Sequence, residues 1–257
     1  MVLNIEKSKG VATLTFNRPE KFNSFTQELA LAVQDKLNEF ENDETVRCIV
    51  LTGAGKAFCA GQDLAEATDP NGPPLKSIVG KHYNPIIELI RKIEKPVIAA
   101  VNGVAAGAGA NIALACDIVI AKKSAKFIQA FSAIGLIPDS GGTFFLPRLI
   151  GQQKALALMM TGDKVSADEA EAMNMIYKSI EDDEFDAYIE LFTSKIANMP
   201  TLGLGLTKRA INKSFENDLT SQLSLEEELQ TLAGQSEDFK EGTSAFLEKR
   251  KPVFKGK

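Results

Sequence analysis

The sequence is poor in the residues on which several kinds of chemistry depend. Among its 257 residues are one histidine, His82, and three cysteines, Cys48, Cys59 and Cys116. A single histidine excludes a Ser-His-Asp triad unless His82 serves it, and its setting, GKHYNP, reads as the exposed start of a helix. No group of cysteines and histidines has metal-ligand spacing, so no metal site is expected. An odd number of cysteines in apolar surroundings predicts reduced, buried thiols and a cytoplasmic setting. No apolar run approaches the roughly 20 residues of a membrane span. The opening MVLNIEKSKG lacks the apolar centre of a signal peptide. Basic residues are not in excess: 29 Lys and Arg against 34 Asp and Glu leave a net charge of -5. That balance argues against nucleic acid or an anionic membrane as the main partner.

Two glycine patterns that would announce a nucleotide are incomplete. In GAGK, residues 53–56, Val50 stands where a phosphate loop needs glycine and Ala57 where it needs Ser or Thr. Gly107-x-Gly109 has Ile112 at the third glycine position of the dinucleotide fingerprint.

Hydrophobic residues at 44% and charged residues at 25% are the proportions of an ordinary globular protein. The length suits one core with an appendage. Residues 2–7 and 11–16 alternate apolar and polar around Ser8-Lys9-Gly10, which predicts a hairpin. Thr26 is placed to cap a helix carrying Leu29, Val33, Leu37 and Phe40 on one face. Residues 46–52 and 97–101 read as buried strands, and 118–121 and 125–129 as short ones. Helical spacing covers 78–93, 152–161 and 167–173, and Gly141-Gly142 opens another helix. DPNGPP at 69–74 reads as a surface loop. From about Asp183 onward the pattern is helical only. Strands alternating with helices predict an α/β body with a mostly parallel sheet.

The stretch 97–117, VIAAVNGVAAGAGANIALACD, stands out. Gly103, Gly107 and Gly109 are expected to admit close backbone approach and positive φ. A turn entering a helix leaves amide N–H groups unpaired, a setting that suits a developing oxyanion. A tightly packed core helix would carry the same residues.

Six segments stand in order along the chain: NRPEKFNS (17–24), AFCAGQDL (57–64), KPVIAAVNGVAAGAG (95–109), CDI (116–118), GLIPDSGGT (135–143) and EGTSAFLEKRKPVF (241–254). Together they resemble the crotonase, or enoyl-CoA hydratase/isomerase, superfamily. The resemblance implies a spiral of ββα units over residues 1–198 and a helical trimerisation segment over 199–257, giving a homotrimer or a hexamer of two trimers. It implies an acyl-CoA thioester substrate with no separate cofactor, and an enolate oxygen held by the backbone N–H groups of Gln62 and Ala108. Ala60, Gly61 and Asp63 would meet the adenine of CoA, and Lys21 and Lys56 its phosphates, although both lysines read equally as solvated side chains. Gly109, Asn111 and Phe131 would line the substrate.

By the same resemblance, the two glutamates of hydratases fall on Asn111 and Phe131, neither of which is an acid or base. What the chain has instead is Asp139, after Pro138. A single carboxylate there can shift a double bond by removing and returning one proton. The implied activity is therefore acyl-CoA isomerisation. Segments 135–148, 200–212 and 232–247 are most similar to family members of phenylacetate breakdown that turn a ring-epoxide thioester into an oxepin thioester and also shift Δ3 double bonds to Δ2. The alternatives are a hydratase using Asp139 and water, and a non-catalytic acyl-CoA binding subunit. For Asp139 itself the alternative is a cap on the helix at Gly141; for Asn111 it is a structural amide.

Overall fold

A computed structural model describes residues 1–257. The chain opens with the hairpin: β1 (Leu3–Ser8) runs antiparallel to β2 (Val11–Phe16). Helix α1 (Gln27–Asn42) follows, its first turn capped by the Thr26 side chain, which accepts from the Leu29 N–H. Leu29, Val33, Leu37 and Phe40 form its buried face. From there the chain winds as a spiral, and each coil lays one strand in each of two sheets. β3 (Cys48–Gly53) precedes β4 (Ala57–Cys59), β5 (Val97–Val101) precedes β6 (Val104–Ala106), and β7 (Ile118–Lys122) precedes β8 (Lys126–Ile128).

Helices close each coil. The first coil has α2 (Leu64–Ala67), α3 (Leu75–Ser77), a wide π-type turn at Ile78–Tyr83, and α4 (Asn84–Lys92). The second has α5 (Ala108–Ala115), and the third has α6 (Gly142–Ile150) and α7 (Gln152–Thr161). β9 (Lys164–Ser166), α8 (Ala167–Ala172) and β10 (Lys178–Ile180) complete the body. The sheet orders are β1-β2-β3-β5-β7-β10 and β4-β6-β8-β9, parallel except for the β1–β2 and β8–β9 pairs.

The unbroken apolar run of β5 has its reason in this stacking. Val97, Ala99 and Val101 face the main core, while Ile98 and Ala100 face a second cluster with Phe185 and Ala197 of α9 (Phe185–Ala197). After α9 come helices alone: α10 (Thr201–Ser214), α11 (Leu219–Gly234) and α12 (Glu237–Leu247). No helix is long and apolar enough to cross a membrane.

The structure corrects the reading of His82. It is only 4% exposed, because it stands in the stripe with Ile78, Ile86 and Ile90, four residues apart, that faces the core. All three thiols are free and buried, and burial pushes those of Cys48 and Cys59 up to about 12.

Helix α10 is fastened to the spiral by Lys208. Its buried Nζ donates to Asp117 Oδ2 at 2.8 Å, Ile90 O at 2.6 Å and Lys95 O at 3.3 Å. Asp117 also accepts from the Val97 N–H and from Arg91. Lys208→Ala leaves the partly buried Asp117 with Arg91 as its one cation and removes the donor to two carbonyls at the joint, so it should lower unfolding stability by about 3 kcal/mol, read from urea denaturation.

Candidate active site

β4 and β6 are parallel neighbours, Ala57 opposite Val104 and Cys59 opposite Ala105, so the turns that leave them lie side by side. The contact tolerates no side chains. A Cβ on Gly109 would stand 2.4 Å from Cys59 O, and one on Gly103 would stand 2.1 Å from Lys56 O. Of Gly103, Gly107 and Gly109, only Gly107 has positive φ, at 52°. The other two serve close approach, which corrects half of the expectation. Gly61 does both. Its φ is 92°, and a Cβ there would sit 3.0 Å from Ala106 O and 3.5 Å from Ala108 N.

Two peptide planes in these turns are gripped by their carbonyl ends. The Phe25 N–H donates to Gly61 O at 2.7 Å, and the Asn111 N–H donates to Gly107 O at 3.2 Å. In a trans peptide the N–H points opposite to the carbonyl. The Gln62 N–H therefore points away from Phe25, and it meets no acceptor in the loop network. The Ala108 N–H points out of the start of α5, where the first residue of a helix has no intrahelical acceptor. The helix dipole adds partial positive charge there. Beside it, the Phe131 ring is buried 3.8 Å from where a Gly107 Cβ would lie.

Asp139 is tied to the same helix. Its carbonyl accepts from Asn111 Nδ2 at 2.8 Å, and Asn111 Oδ1 accepts from Gln129 Nε2 at 2.8 Å. Asn111 is fully buried, with one oxygen and one nitrogen both engaged. It is a strut under Asp139 rather than a residue facing an open cleft. The Asp139 carboxylate does not cap α6: no side chain bonds the helix start, and the carboxylate accepts instead from Ser140 Oγ at 2.9 Å. Burial pushes its carboxyl above the usual carboxylate range, against the opposing pull of the Ser140 hydrogen bond. Ile134, Leu136 and Ile137, in the approach to Asp139, are exposed and apolar.

The remaining expected contacts differ in kind. Lys21 and Lys56 are exposed, in neither case paired with an acid, and sit on adjoining loops where Gly55 meets Pro19. Ala60 is exposed, and its N–H donates to Phe22 O at 3.0 Å. The Gly61 amide is turned to Cys59 Sγ, and Gly109 is packed against Cys59, so both shape the turn without presenting a group of their own. The Asp63 carboxylate is already held by Arg18 Nη2 at 2.8 Å and by the Ala65 N–H at the start of α2. Arg18, Tyr83, Gln129 and Ser140 support the site without having stood out in the sequence. Nothing but a polar residue in an apolar stripe marked Tyr83 or Gln129. No group of three or more His, Cys, Asp or Glu could hold a metal ion. Chemically, the pair of aimed amides suits an oxygen acquiring negative charge, and a half-buried carboxyl of raised pKa suits proton transfer.

The family model for enoyl-CoA hydratase/isomerase matches residues 6–257. The chain is 50% identical over 252 residues to a 1,2-epoxyphenylacetyl-CoA isomerase of Escherichia coli (strain K12), covering 97% of this chain and 96% of that protein. It is 35% identical over 251 residues to a crotonyl-CoA hydratase of Syntrophomonas wolfei, covering 97% and 96%. Among solved structures, an enoyl-CoA hydratase from Bacillus anthracis superposes with a TM-score of 0.93 at 33% identity, covering all of both chains.

The raised carboxyl of Asp139 has a consequence for stability. The fold disfavours its charged form, so the penalty is absent below the unfolded-state value of about 3.9 and grows as pH rises through the folded one. Asp139→Asn should therefore stabilise the protein at neutral pH. The gain should vanish below about pH 4 in a thermal-unfolding series against pH.

Proposed function

Since the chain belongs to the enoyl-CoA hydratase/isomerase family, we propose that it is an acyl-CoA isomerase working through a thioester enolate with Asp139 as its one acid-base group. The observation that carries this reading is the lone carboxylate. Asn111, at a position where the resemblance puts a hydratase glutamate, is a buried amide engaged with Gln129 and Asp139, and Phe131, at the other, is a buried ring. No second acid is present there to activate a water molecule. The 50% identity to the isomerase of Escherichia coli supports the same direction.

On this reading the thioester oxygen lies between the N–H groups of Gln62 and Ala108. Asp139 takes a proton from the carbon beside the thioester, the electrons move onto the oxygen, and the proton returns two carbons along. A Δ3 double bond becomes Δ2 with no change in composition. For a ring-epoxide thioester of phenylacetate, the same site favours opening to the seven-membered oxepin, again without gain or loss of atoms. CoA lies along the 60–63 turn with its phosphates toward Lys21 and Lys56, and no further cofactor is needed.

The second reading is hydration, favoured by the hydratase name of the Syntrophomonas wolfei relative. Product mass separates the two. Incubated with 3-enoyl-CoA, 2-enoyl-CoA and the phenylacetyl epoxide thioester, an isomerase leaves mass unchanged, whereas a hydratase adds one water. Asp139→Asn should lower kcat at least about a thousandfold while acyl-CoA affinity stays within about threefold. Ala108→Pro removes the second amide at a helix position that accepts proline, and should lower kcat by about 100- to 1000-fold. Full activity in both variants would sink the reading.

The last helix and the tail after it carry Phe246, Leu247 and Val253 at 83%, 80% and 74% exposure, surface that further copies of the chain would cover in a trimer. Sedimentation should give a trimer or a hexamer for the full chain. Truncation after Pro200 should give monomer or insoluble protein.

A further inference from the structure

We infer that Tyr83 is a positioning residue for the Gln62 amide, acting through the Gln62 side chain; this rests on the two-amide reading above. The peptide that carries the Gln62 N–H follows Gly61, whose φ of 92° leaves it freer to rotate than any other residue type would. A rotation of that peptide would turn the donor away from its target. The carbonyl end is held by the Phe25 N–H at 2.7 Å. The other end is held by the Gln62 side chain, which is clamped on both sides. Tyr83 Oη donates to Gln62 Oε1 at 2.7 Å, and Gln62 Nε2 donates to Glu66 Oε1 at 3.2 Å.

Each half of the clamp is anchored elsewhere. Glu66 accepts from the Gln27 N–H at the start of α1, at 3.0 and 3.1 Å. Tyr83 is 1% exposed, and its ring lies 5.8 Å, centroid to centroid, from Phe25, the residue whose N–H holds the carbonyl end. One aromatic contact thus joins the two restraints on one peptide. The phenol has no other hydrogen-bond partner, and burial keeps it neutral and donating.

Tyr83→Phe keeps the ring and removes only the hydroxyl. With trans-3-hexenoyl-CoA as substrate it should lower kcat about tenfold and leave KM within about twofold, the loss expected when a buried amide loses its donor. Gln62→Leu should cause a similar loss, and adding Tyr83→Phe to it should cause none. Infrared spectra of bound 2-hexenoyl-CoA carrying a 13C-labelled carbonyl give a readout without turnover. Binding to the parent protein should lower the thioester stretch, and binding to Tyr83→Phe should lower it less. An undiminished stretch shift in Tyr83→Phe, or an equal kcat loss from it in the Gln62→Leu background, would overturn the inference alone. No shift in the parent protein would overturn the two-amide reading and this inference with it.

Discussion

Two hydrogen bonds to carbonyls organise the rest of the site. Phe25 holds Gly61 O and Asn111 holds Gly107 O, and because a trans peptide is rigid, each grip aims the N–H at the far end. An amide that is aimed but unpaired is a liability in a protein interior, where an unmet donor costs free energy. It persists here because the surroundings hold it rigidly: one peptide is trapped between an isolated strand bridge and a side-chain clamp, the other begins a helix. Such pre-set donors need no reorganisation when charge develops, which is the condition under which they stabilise an oxyanion best.

The spiral is what brings the two peptides together. Residues 57–63 and 104–109 occupy the same place in successive coils, and parallel pairing of β4 with β6 stacks one turn on the other. The spacing is set by backbone rather than side chains, as the Cβ positions at Gly103 and Gly109 demand. Cys59 takes part as a small, buried, unreactive group: its Sγ accepts from the Gly61 N–H, and its thiol is held protonated by burial. That bond takes the Gly61 amide out of play and leaves the Gln62 amide as the free donor of its turn.

Much of this was legible in the residues. Periodicity found α1 with its Thr26 cap, the hairpin, the apolar strand 97–101 and every helix after Asp183, since each is long enough to repeat its pattern. β9 and β10 were not foreseen, because three residues give alternation no room to show, and their pairing depends on β8 and β7. His82 misled for a different reason: its flanking Gly, Lys and Asn are exposed, yet the stripe on which it stands is buried. Within the site, the glycines and Asp139 could be read as types suited to the proposed chemistry. The clamp on Gln62 and the strut under Asp139 could not, because Tyr83, Glu66 and Gln129 reach their partners across the fold.

On the proposed reading, Asn111 is the position that separates two chemistries on the same backbone. A glutamate there would bring a charge into a fully buried place and would lose the amide donor that holds Asp139 O. Gly142 leaves no space for adjustment, since even a Cβ on it would stand 2.3 Å from Asn111 Nδ2. The neutral amide thus does two things: it removes a potential acid from the site, and it fixes the main chain of the carboxylate that remains. Under the proposed mechanism these are one requirement. A single base that takes a proton from one carbon and delivers it to another must stay in place between the two events. Any second acid nearby would offer the intermediate a competing proton.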